Sequence, residues 1–325
     1  MTLHINESEV RQLLTMPMAI EAVESVSRKQ GEGKVVVHAR RRFELPSGYF
    51  HYMAAFDQEA GLLAMKQYTY VNRKLRFLVP LYSSTTGELL AMIEADFLGQ
   101  QRTGAASGVA TKYLARANAK VAGIIGSGGQ AKTQLEALAA VRKLEKALVY
   151  GRDPERRAEF AVSMSKRLGI PVHAADSAAA CAAQADIVCT ATTSAQPVLL
   201  GQELHAGVHI NAIGANHAVK RELDEAAIRK ADPIFVDFLE QAKQEAGDLI
   251  IPFTSQPERW NTVHELCDLV AGKVPGRSSD TQITLFKSNG IAAWDLAVAA
   301  LVYTAAKARG LGEEISLDSS QPDAV

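Results

Sequence analysis

The sequence predicts an α/β protein with a doubly wound parallel sheet and a second, α+β domain in front of it. From residue 120 onward, short apolar segments alternate with helical patterns, which is typical of βαβ units. The first of these segments, Val121–Ile125, runs directly into a glycine-rich turn that opens a helical pattern. Residues 35–95 instead contain regularly spaced apolar runs separated by turn residues, which indicates an antiparallel sheet.

The amino-terminal region begins with a predicted helix at residues 7–30. Five strands are then predicted, at Val35–Phe43, Tyr49–Ala54, Leu62–Tyr70, Phe77–Tyr82 and Leu89–Ile93. Leu98–Ala115 is rich in small residues and predicts a helix that packs closely against a cofactor or against the next domain.

The second region contains the candidate strands of the parallel sheet. They are Val121–Ile125, Ala147–Tyr150, Val172–Ala174, Ile187–Ala191, Val208–Ile213 and Ile234–Val236. Helical patterns lie between most of these strands, at Gln130–Leu144, Pro154–Leu168, Ala178–Gln184 and Leu223–Lys230. Further along, the patterns predict a short helix at Val263–Val270, a strand at Ile283–Phe286 and a final helix at Ile291–Ala308.

Two domains follow from this order of elements. A Rossmann-type domain is predicted at residues 119–290. We expect the final helix to return to the first domain, which is then discontinuous and consists of residues 1–118 with 291–325. This arrangement predicts a functional site in the cleft between the two domains. The polar tail from Glu313 is expected to fray.

The turn after the first parallel strand has the pattern G-x-G-x-x-A, in the residues Gly126, Ser127, Gly128, Gly129, Gln130 and Ala131. Gly126 permits the tight turn, Gly128 lets the backbone approach a pyrophosphate, and Ala131 lets the helix pack close to the strand. The free N–H groups at the start of the helix favour phosphate. A glycine-rich turn that binds nothing is the alternative, but the strand–turn–helix context favours dinucleotide binding.

Composition excludes several classes of function. The formal net charge of −1 provides no basic surface for nucleic acid, and 47% hydrophobic residues suffice for large cores. No apolar run is long enough to cross a membrane, and the amino terminus does not resemble a signal peptide. The three cysteines lack metal-ligand spacing, so we predict no metal site and a reducing, cytoplasmic location.

The segment after the second parallel strand bears on the choice of nicotinamide cofactor. Arg152 is the first long side chain there, and a guanidinium matches the 2′-phosphate of NADP(H). Asp153 could hold the ribose hydroxyl of NAD(H), or simply cap the helix that opens with Pro154. We therefore favour NADP(H) and leave NAD(H) open. By its position at a strand end, the segment Thr190, Ala191 and Thr192 is predicted to pass near the nicotinamide ribose.

Three cations interrupt or adjoin apolar segments of the first region: Arg40, Lys66 and Arg102. If Val35–Phe43 is one strand, Arg40 and Arg42 share a face. A lysine within an apolar strand needs a partner or a chemical role. Each cation taken alone is more often a surface charge than a catalytic group.

Taken together, six ordered segments resemble the ornithine cyclodeaminase/μ-crystallin family. They are ARRRFELPSGYFHYMAA, GLLAMKQYTY, EADFLGQQRTGAASGVATKYLAR, GIIGSGGQA, INAIGANHAVKRELD and TLFKSNGIAAWDLA. The resemblance extends from about residue 4 to residue 312. It implies a homodimer joined through the first domain, and an enzyme that is a cyclodeaminase, an imine or ketimine reductase, or an amino-acid dehydrogenase.

The resemblance also implies roles for single residues. Arg40 and Arg102 match arginines that bind the substrate carboxylate, and Lys66 matches a lysine near the reacting centre. Thr103 matches a pyrophosphate contact, and the turn containing Ser288 lies beside the nicotinamide in the family. The role of Asp295 stays open between a partner for Lys66 or Arg102 and a bond to neighbouring backbone.

One departure from the family pattern concerns Asn216, which stands where ornithine cyclodeaminase has an aspartate. An amide forms hydrogen bonds but is no general base, so a cyclodeaminase is disfavoured. The neighbouring His217 either takes over proton transfer near neutral pH or is a solvated loop histidine.

The leading hypothesis is an NAD(P)H-dependent oxidoreductase that reduces a small α-imino acid or deaminates the matching amino acid. Arg40 and Arg102 would hold the carboxylate, Lys66 would act on the imine nitrogen, and hydride would reach the α-carbon. One alternative is an ornithine cyclodeaminase-type lyase with bound NAD. The other is a non-enzymatic, NADP-dependent binding protein.

Overall fold

The computed structural model describes residues 1–316, and within them the chain forms two eight-stranded sheets. The first region contains β1 (Thr2–Ile5), α1 (Glu7–Leu13), α2 (Met16–Gly31), β2 (Val35–Val37), β3 (Arg41–Leu45), β4 (Gly48–Asp57), β5 (Leu62–Val71), β6 (Lys74–Ser83), β7 (Leu89–Glu94) and α3 (Asp96–Leu114).

The second region alternates strands and helices. It contains β8 (Val121–Ile125), α4 (Gly129–Val141), β9 (Lys146–Tyr150), α5 (Pro154–Leu168), β10 (Val172–Ala174), α6 (Ala178–Ala182), β11 (Ile187–Thr190), β12 (His209–Ala212), α7 (Glu225–Lys230), β13 (Ala231–Val236), α8 (Leu239–Glu245), α9 (Gly247–Phe253), β14 (Val263–Glu265), α10 (Leu266–Val270) and β15 (Ile283–Lys287). The chain then continues into α11 (Ala292–Arg309) and β16 (Glu313–Ile315).

The second sheet has the strand order β10-β9-β8-β11-β12-β15-β13-β14, and every pairing in it is parallel. Reversal of the order on either side of β8 is the signature of a doubly wound sheet, and ligands bind at the carboxyl ends of its strands. The predicted α/β class is confirmed.

The first sheet has the order β16-β1-β7-β6-β5-β4-β2, with β3 also paired to β4. Its pairings are antiparallel except that β1 runs parallel to β7. Helix α11 packs on β4 and β5 and against α2, and α3 packs on α4 of the second region. Trp294 of α11 is fully buried in the core beneath this sheet. The domain boundaries at residues 118/119 and 290/291 stay predictions.

Several predicted elements differ from those observed. The helix expected at residues 7–30 is interrupted at Leu14 and Thr15, where a new helix starts with Pro17 in its first turn. The helix expected at Val263–Val270 is a short strand followed by one helical turn and a half. Residues 313–315 do not fray but pair with β1, and the rest of the tail lies outside the described residues.

The predicted strand Val35–Phe43 is divided into β2 and β3, which pair with different parts of β4. Residues 38–40 lie between them, and the backbone N–H of Arg40 donates to Gln241 Oε1 at 3.0 Å instead of to the sheet. The pattern of apolar residues continues through this break and therefore predicted one continuous strand. It gave no sign that the Gln241 side chain of α8, and not a neighbouring strand, accepts the hydrogen bond from the Arg40 backbone.

Among residues 1–316, no helix combines the length and the apolar character that crossing a membrane requires.

Candidate active site

A cavity of about 400 Å³ lies at the carboxyl ends of the parallel strands, against the inner face of the first sheet. Its wall brings together eleven of the predicted site residues: Arg40, Lys66, Arg102, Thr103, Gly128, Gly129, Gln130, Ala191, Thr192, Asn216 and Ser288. The remaining predicted residues, Gly126, Ser127, Arg152 and Thr190, do not line it.

The glycine turn has the geometry that a dinucleotide phosphate requires. Gly126 has φ of +126°, and a Cβ there would collide with the carbonyl oxygen of Ala191. A Cβ at Gly128 would meet nothing within 4 Å, so the backbone before α4 is open to a ligand. Because α4 starts at Gly129 with its first N–H groups directed out of the helix, this turn fits a pyrophosphate.

The small-residue helix α3 brings Thr103 to this turn. A Cβ at Gly104 would collide with the Thr133 carbonyl oxygen, so α3 approaches the backbone of α4 closely. Thr103 lines the cavity near Gly128, and its hydroxyl donates to the Gly99 carbonyl at 2.7 Å. Close packing of α3 on α4 therefore joins the first region to the glycine turn.

The segment after β9 contains the two residues that bear on the choice of cofactor, Arg152 for NADP(H) and Asp153 for NAD(H). Asp153 caps α5, where its carboxylate accepts from the N–H groups of Glu155 and Arg156 at 3.0 and 3.1 Å. Arg152 is exposed beside it. Ser127 packs on the same segment, since a Cβ at Gly151 would meet its hydroxyl at 2.5 Å. The helix-cap interpretation of Asp153 agrees with this geometry.

A buried cluster of three charges forms one end of the cavity. Asp295 Oδ1 accepts from Lys66 Nζ at 2.9 Å and from Arg102 Nε at 3.0 Å. Asp295 is completely buried, and both cations are at most 5% exposed. Burial, reinforced by Arg102, lowers the pKa of Lys66 to about 8. Within residues 1–316, Arg102 Nη1 is buried without a hydrogen-bond partner, and Gly290, with φ of +82°, leaves room for it.

Arg40 lies next to this cluster, since Gly290 borders both Arg102 Nη1 and Arg40 Nη2, and it contacts the second region. Its Nη1 donates to Glu245 Oε2 at 2.7 Å, and its Nη2 donates to the carbonyl oxygens of Asn289 and Gly290 at 2.6 and 3.2 Å. In the described part of the chain, Nε is the one guanidinium nitrogen of Arg40 that is buried without a hydrogen-bond partner. Gln241 also donates to the Gly290 carbonyl, at 2.8 Å. Residues of α8 and of the turn after β15 therefore both fix the position of Arg40.

The loop after β12 places Asn216 on the cavity wall and His217 behind it. Arg42 Nη1 donates to His217 Nδ1 at 2.8 Å. Burial, followed by the charge of Arg42, lowers the pKa of His217 to about 4, so the imidazole is neutral near pH 7. The half-buried His217 is therefore neither a solvated loop residue nor suited to proton transfer at neutral pH.

A buried network that sequence analysis missed holds the loops after β11 and β12. Glu222 accepts from Thr190 Oγ1 at 2.8 Å and from the N–H groups of Thr192 and Gly214, both at 2.7 Å. Asp248 accepts from the Glu222 N–H and pairs with Lys287 at 3.1 Å. Thr190 therefore supports the cavity wall from behind and does not line it.

Sequence analysis also missed the aromatic residues of the cavity wall, Tyr68 and Phe77 among them. Strand alternation contained the signal, because Tyr68 lies two residues after Lys66 and therefore on the same face of β5. Glu245 and Gln241 carried no comparable signal, since α8 was not predicted.

A comparison with known families agrees with this geometry. The model of the ornithine cyclodeaminase/mu-crystallin family matches residues 2–310. A Delta(1)-pyrroline-2-carboxylate reductase of Bacillus cereus is 42% identical over 239 residues, which cover 73% of each chain. An iminosuccinate reductase of Paracoccus denitrificans is 32% identical over 96% of this chain and 99% of the relative.

Solved structures resemble the whole chain. A Thermococcus litoralis Delta(1)-pyrroline-2-carboxylate reductase, in complex with NADH and L-proline, has a TM-score of 0.93 and 38% identity, covering 97% of this chain and 100% of the other. An archaeal alanine dehydrogenase dimer with bound NAD has a TM-score of 0.91 and 34% identity, covering 98% and 99%.

Proposed function

The chain belongs to the ornithine cyclodeaminase/mu-crystallin family and is an NAD(P)-dependent oxidoreductase of imino or amino acids, and we propose that it reduces the C=N bond of a small α-imino acid. One observation carries the proposal. The buried Lys66–Asp295–Arg102 cluster, which keeps an unpartnered guanidinium N–H, shares one cavity with the glycine turn.

Two free donors suit the substrate carboxylate. Arg102 Nη1 and Arg40 Nε are buried and have no hydrogen-bond partner among the residues that the structure describes, and guanidinium N–H groups bind carboxylates with defined geometry. A carboxylate there satisfies donors that are otherwise costly to bury. Thr192, Ile213 and Ser288 line the same cavity.

Lys66 acts on the imine nitrogen. Its ammonium is held by Asp295, and a pKa of about 8 keeps it protonated at neutral pH while making the proton easier to release. A bound nicotinamide supplies or accepts the hydride. Reduction adds that hydride to the α-carbon and one proton to nitrogen, and Lys66 donates the proton. Oxidation of the amino acid to the imine uses the same contacts in reverse, and hydrolysis of the imine by water then releases ammonia and completes deamination.

The test is cofactor oxidation followed by absorbance. NADPH and NADH are offered with pyrroline-2-carboxylate, and with 2-oxo acids plus ammonia or methylamine. We expect turnover of at least one imine with stoichiometric loss of reduced cofactor. Formation of proline from ornithine without net change in cofactor would contradict the proposal and would require a new role for Asn216, which lines the cavity without a carboxylate.

The preferred cofactor is NADP(H), and Arg152 recognises its 2′-phosphate. Support comes from Asp153, whose carboxylate is committed to capping α5 and is less free to bind a ribose hydroxyl. Arg152→Ala should lower kcat/KM for NADPH about tenfold and leave that for NADH nearly unchanged. Equal losses with the two cofactors would exclude this role for Arg152.

The functional unit is a homodimer, formed through the outer face of the first sheet. Most outward-facing residues of β3 to β5 are apolar, with Arg41, Gln67 and Thr69 as the polar ones, although a solvated sheet face is normally polar. Phe43 is 57% exposed and stacks on Phe50 and Tyr52, with ring centroids 6.3 and 5.9 Å apart, and Leu63, farther along the same face, is 37% exposed. A second copy covers this face; one relative of known structure is described as a dimer.

Light scattering after size exclusion tests the dimer. The wild type should have twice the 35.0 kDa mass of the chain, and Phe43→Asp should shift it toward the monomer. A monomeric wild type at micromolar concentration would rule out this interface.

A further inference from the structure

The cavity wall beyond Lys66 consists of inward-facing cross-strand residue pairs of the antiparallel sheet, each of which we call a rung. Lys66 is registered with Met53, and the next inward residue, Tyr68, is registered with Phe77. Successive inward residues of a strand are about 7 Å apart, so the Tyr68–Phe77 rung is the first surface that a group extending outward from Lys66 would meet. The rings of this rung are in contact, with centroids 4.9 Å apart, and the Phe77 ring centroid is 5.4 Å from Lys66 Nζ.

Charge is distributed unevenly over this wall. Among the described residues that line the cavity, the charged ones are Arg40, Lys66, Arg102 and Asp96. The three cations lie at the Lys66 end, where Asp295 and Glu245 already pair with them. Asp96, the remaining charged residue, is an exposed carboxylate that accepts from Gln100. It is an anion and therefore offers no positive partner to a second carboxylate of the substrate.

The polar atoms at the Tyr68–Phe77 rung belong to neutral groups and are already hydrogen-bonded. Tyr68 Oη and His51 Nδ1 form a hydrogen bond of 2.5 Å. Burial lowers the pKa of His51 to about 3 and raises the pKa of Tyr68, so neither carries a charge near pH 7. Asn216 and Ile213, from the loop after β12, also line the cavity and are uncharged.

We infer that the substrate's side chain is uncharged and lies against the Tyr68–Phe77 rung, so that the enzyme reduces imines of apolar 2-oxo acids and cyclic ketimines and rejects imines bearing a second carboxylate. The inference rests on the proposed function. It follows because the α-carboxylate uses the free donors Arg102 Nη1 and Arg40 Nε. Among the described residues, Nε and Nη2 of Arg42 are also unpartnered, but Arg42 does not line the cavity, so the rung offers a second anion no partner. It separates this chain from its relative that is an iminosuccinate reductase.

The experiment compares two five-carbon oxo acids in the presence of ammonia: 2-oxopentanoate, with an apolar side chain, and 2-oxoglutarate, with a carboxylate. Pyrroline-2-carboxylate is the cyclic, uncharged reference. We expect kcat/KM for the 2-oxoglutarate imine to be at least about 100-fold lower than that for the 2-oxopentanoate imine, because the second carboxylate loses its water without gaining a partner.

A variant at Leu75, in the rung after Tyr68–Phe77, tests where the substrate's side chain lies. Leu75 lines the cavity, is registered with Tyr70 and is 51% exposed, so an arginine fits there without burial of a new charge. Leu75→Arg places a guanidinium that reaches toward Tyr68 and should raise the ratio of 2-oxoglutarate to 2-oxopentanoate turnover about tenfold. Leu75→Gln, a polar side chain without charge, is the matched control and should leave the ratio unchanged.

The outcomes separate the two proposals. Turnover that is equal or faster with 2-oxoglutarate overturns the inference alone, and an unchanged ratio in Leu75→Arg overturns the placement of the side chain. No turnover of any imine overturns the proposed function together with the inference built on it.

Discussion

The cations at the Lys66 end of the cavity are supported in two different ways. Lys66, Arg102 and their shared partner Asp295 come from β5, α3 and α11, which pack around one core. Arg40 leaves the break between β2 and β3, and its partners lie on α8 and on the turn after β15. The Lys66 cluster is therefore assembled within one packed unit, whereas the contacts of Arg40 depend on how the two regions of the molecule are placed.

This difference predicts that the Lys66 cluster and the Arg40 contacts have different roles in catalysis. A group that must act on one atom of the substrate benefits from a rigid support, since small displacements cost rate. A group that binds a carboxylate and also joins two regions couples substrate affinity to their relative position. The variants below test whether damage to the Lys66 cluster lowers kcat and damage to the Arg40 contacts mainly raises KM.

The largest effect is expected from Lys66→Met, which removes the proton donor and leaves an apolar chain of similar length. kcat should fall on the order of 1,000-fold. NADPH affinity, measured by fluorescence titration, should stay within about twofold, because Lys66 does not contribute to the glycine turn. Lys112→Met, at a half-exposed surface ion pair, is the control. Unchanged turnover in Lys66→Met would remove this residue from the mechanism and favour a pure binding protein.

Asp295→Asn should have the second-largest effect. Asp295 raises the pKa of Lys66 against burial and Arg102, so its loss lowers that pKa further below about 8. Activity that requires the ammonium declines as pH rises through the pKa of Lys66, near 8 in the wild type. In the variant, this alkaline limb should move to lower pH, and kcat near pH 7 should fall about 100-fold, in keeping with the cost of breaking a buried ion pair.

The pH profile of kcat/KM is the measurement that decides this prediction. A limb that stays in place would show that a different group titrates. Because Asp295→Asn also weakens a buried cluster, its unfolding midpoint in urea and its affinity for NADPH serve as controls for correct folding.

Glu245→Gln tests the other side of the comparison with a smaller effect. The amide keeps the shape but removes the charge that holds Arg40 Nη1 at 2.7 Å. KM for the imino acid should rise roughly tenfold with kcat reduced less than threefold, since a charge-assisted hydrogen bond is worth about 1.5–3 kcal/mol.

Glu136→Gln is the matched control for this variant. Glu136 is also buried and pairs with an arginine, Arg167, at 2.8 Å, but it does not line the cavity. It should lower stability without changing KM. Equal changes of KM in Glu136→Gln and Glu245→Gln would show that general destabilisation, and not the position of Arg40, sets substrate affinity.

The smallest effect is expected from His217→Gln. A glutamine can still accept from Arg42, and His217 is already neutral near pH 7 because its pKa is lowered to about 4. The rate should change less than about threefold, and the profile between pH 5 and 7 should keep its shape. Loss of a limb in that interval would restore His217 as a proton-transfer group.

Local patterns accounted for the parallel sheet and for the phosphate-binding turn. The strand Val121–Ile125 and the helix Pro154–Leu168 were predicted to the residue, since a buried strand and a helix with a capping aspartate and Pro154 in its first turn have strong local signals. The strand break at Arg40 was not predicted, because its cause is Gln241, about 200 residues away. The partnership of Asp295 stayed open for the same reason.

By itself, the sequence determined the α/β class, the glycine turn for a dinucleotide, and the presence of cations within apolar segments. These depend on periodicity and on residue types within one or two turns of helix or strand. Only the tertiary structure decided which acid meets which base, that Lys66 shares Asp295 with Arg102, and that uncharged aromatic rings form the wall beyond them. Pairing and desolvation depend on side chains brought together from distant segments, and these two effects set the charge and the pKa of the site.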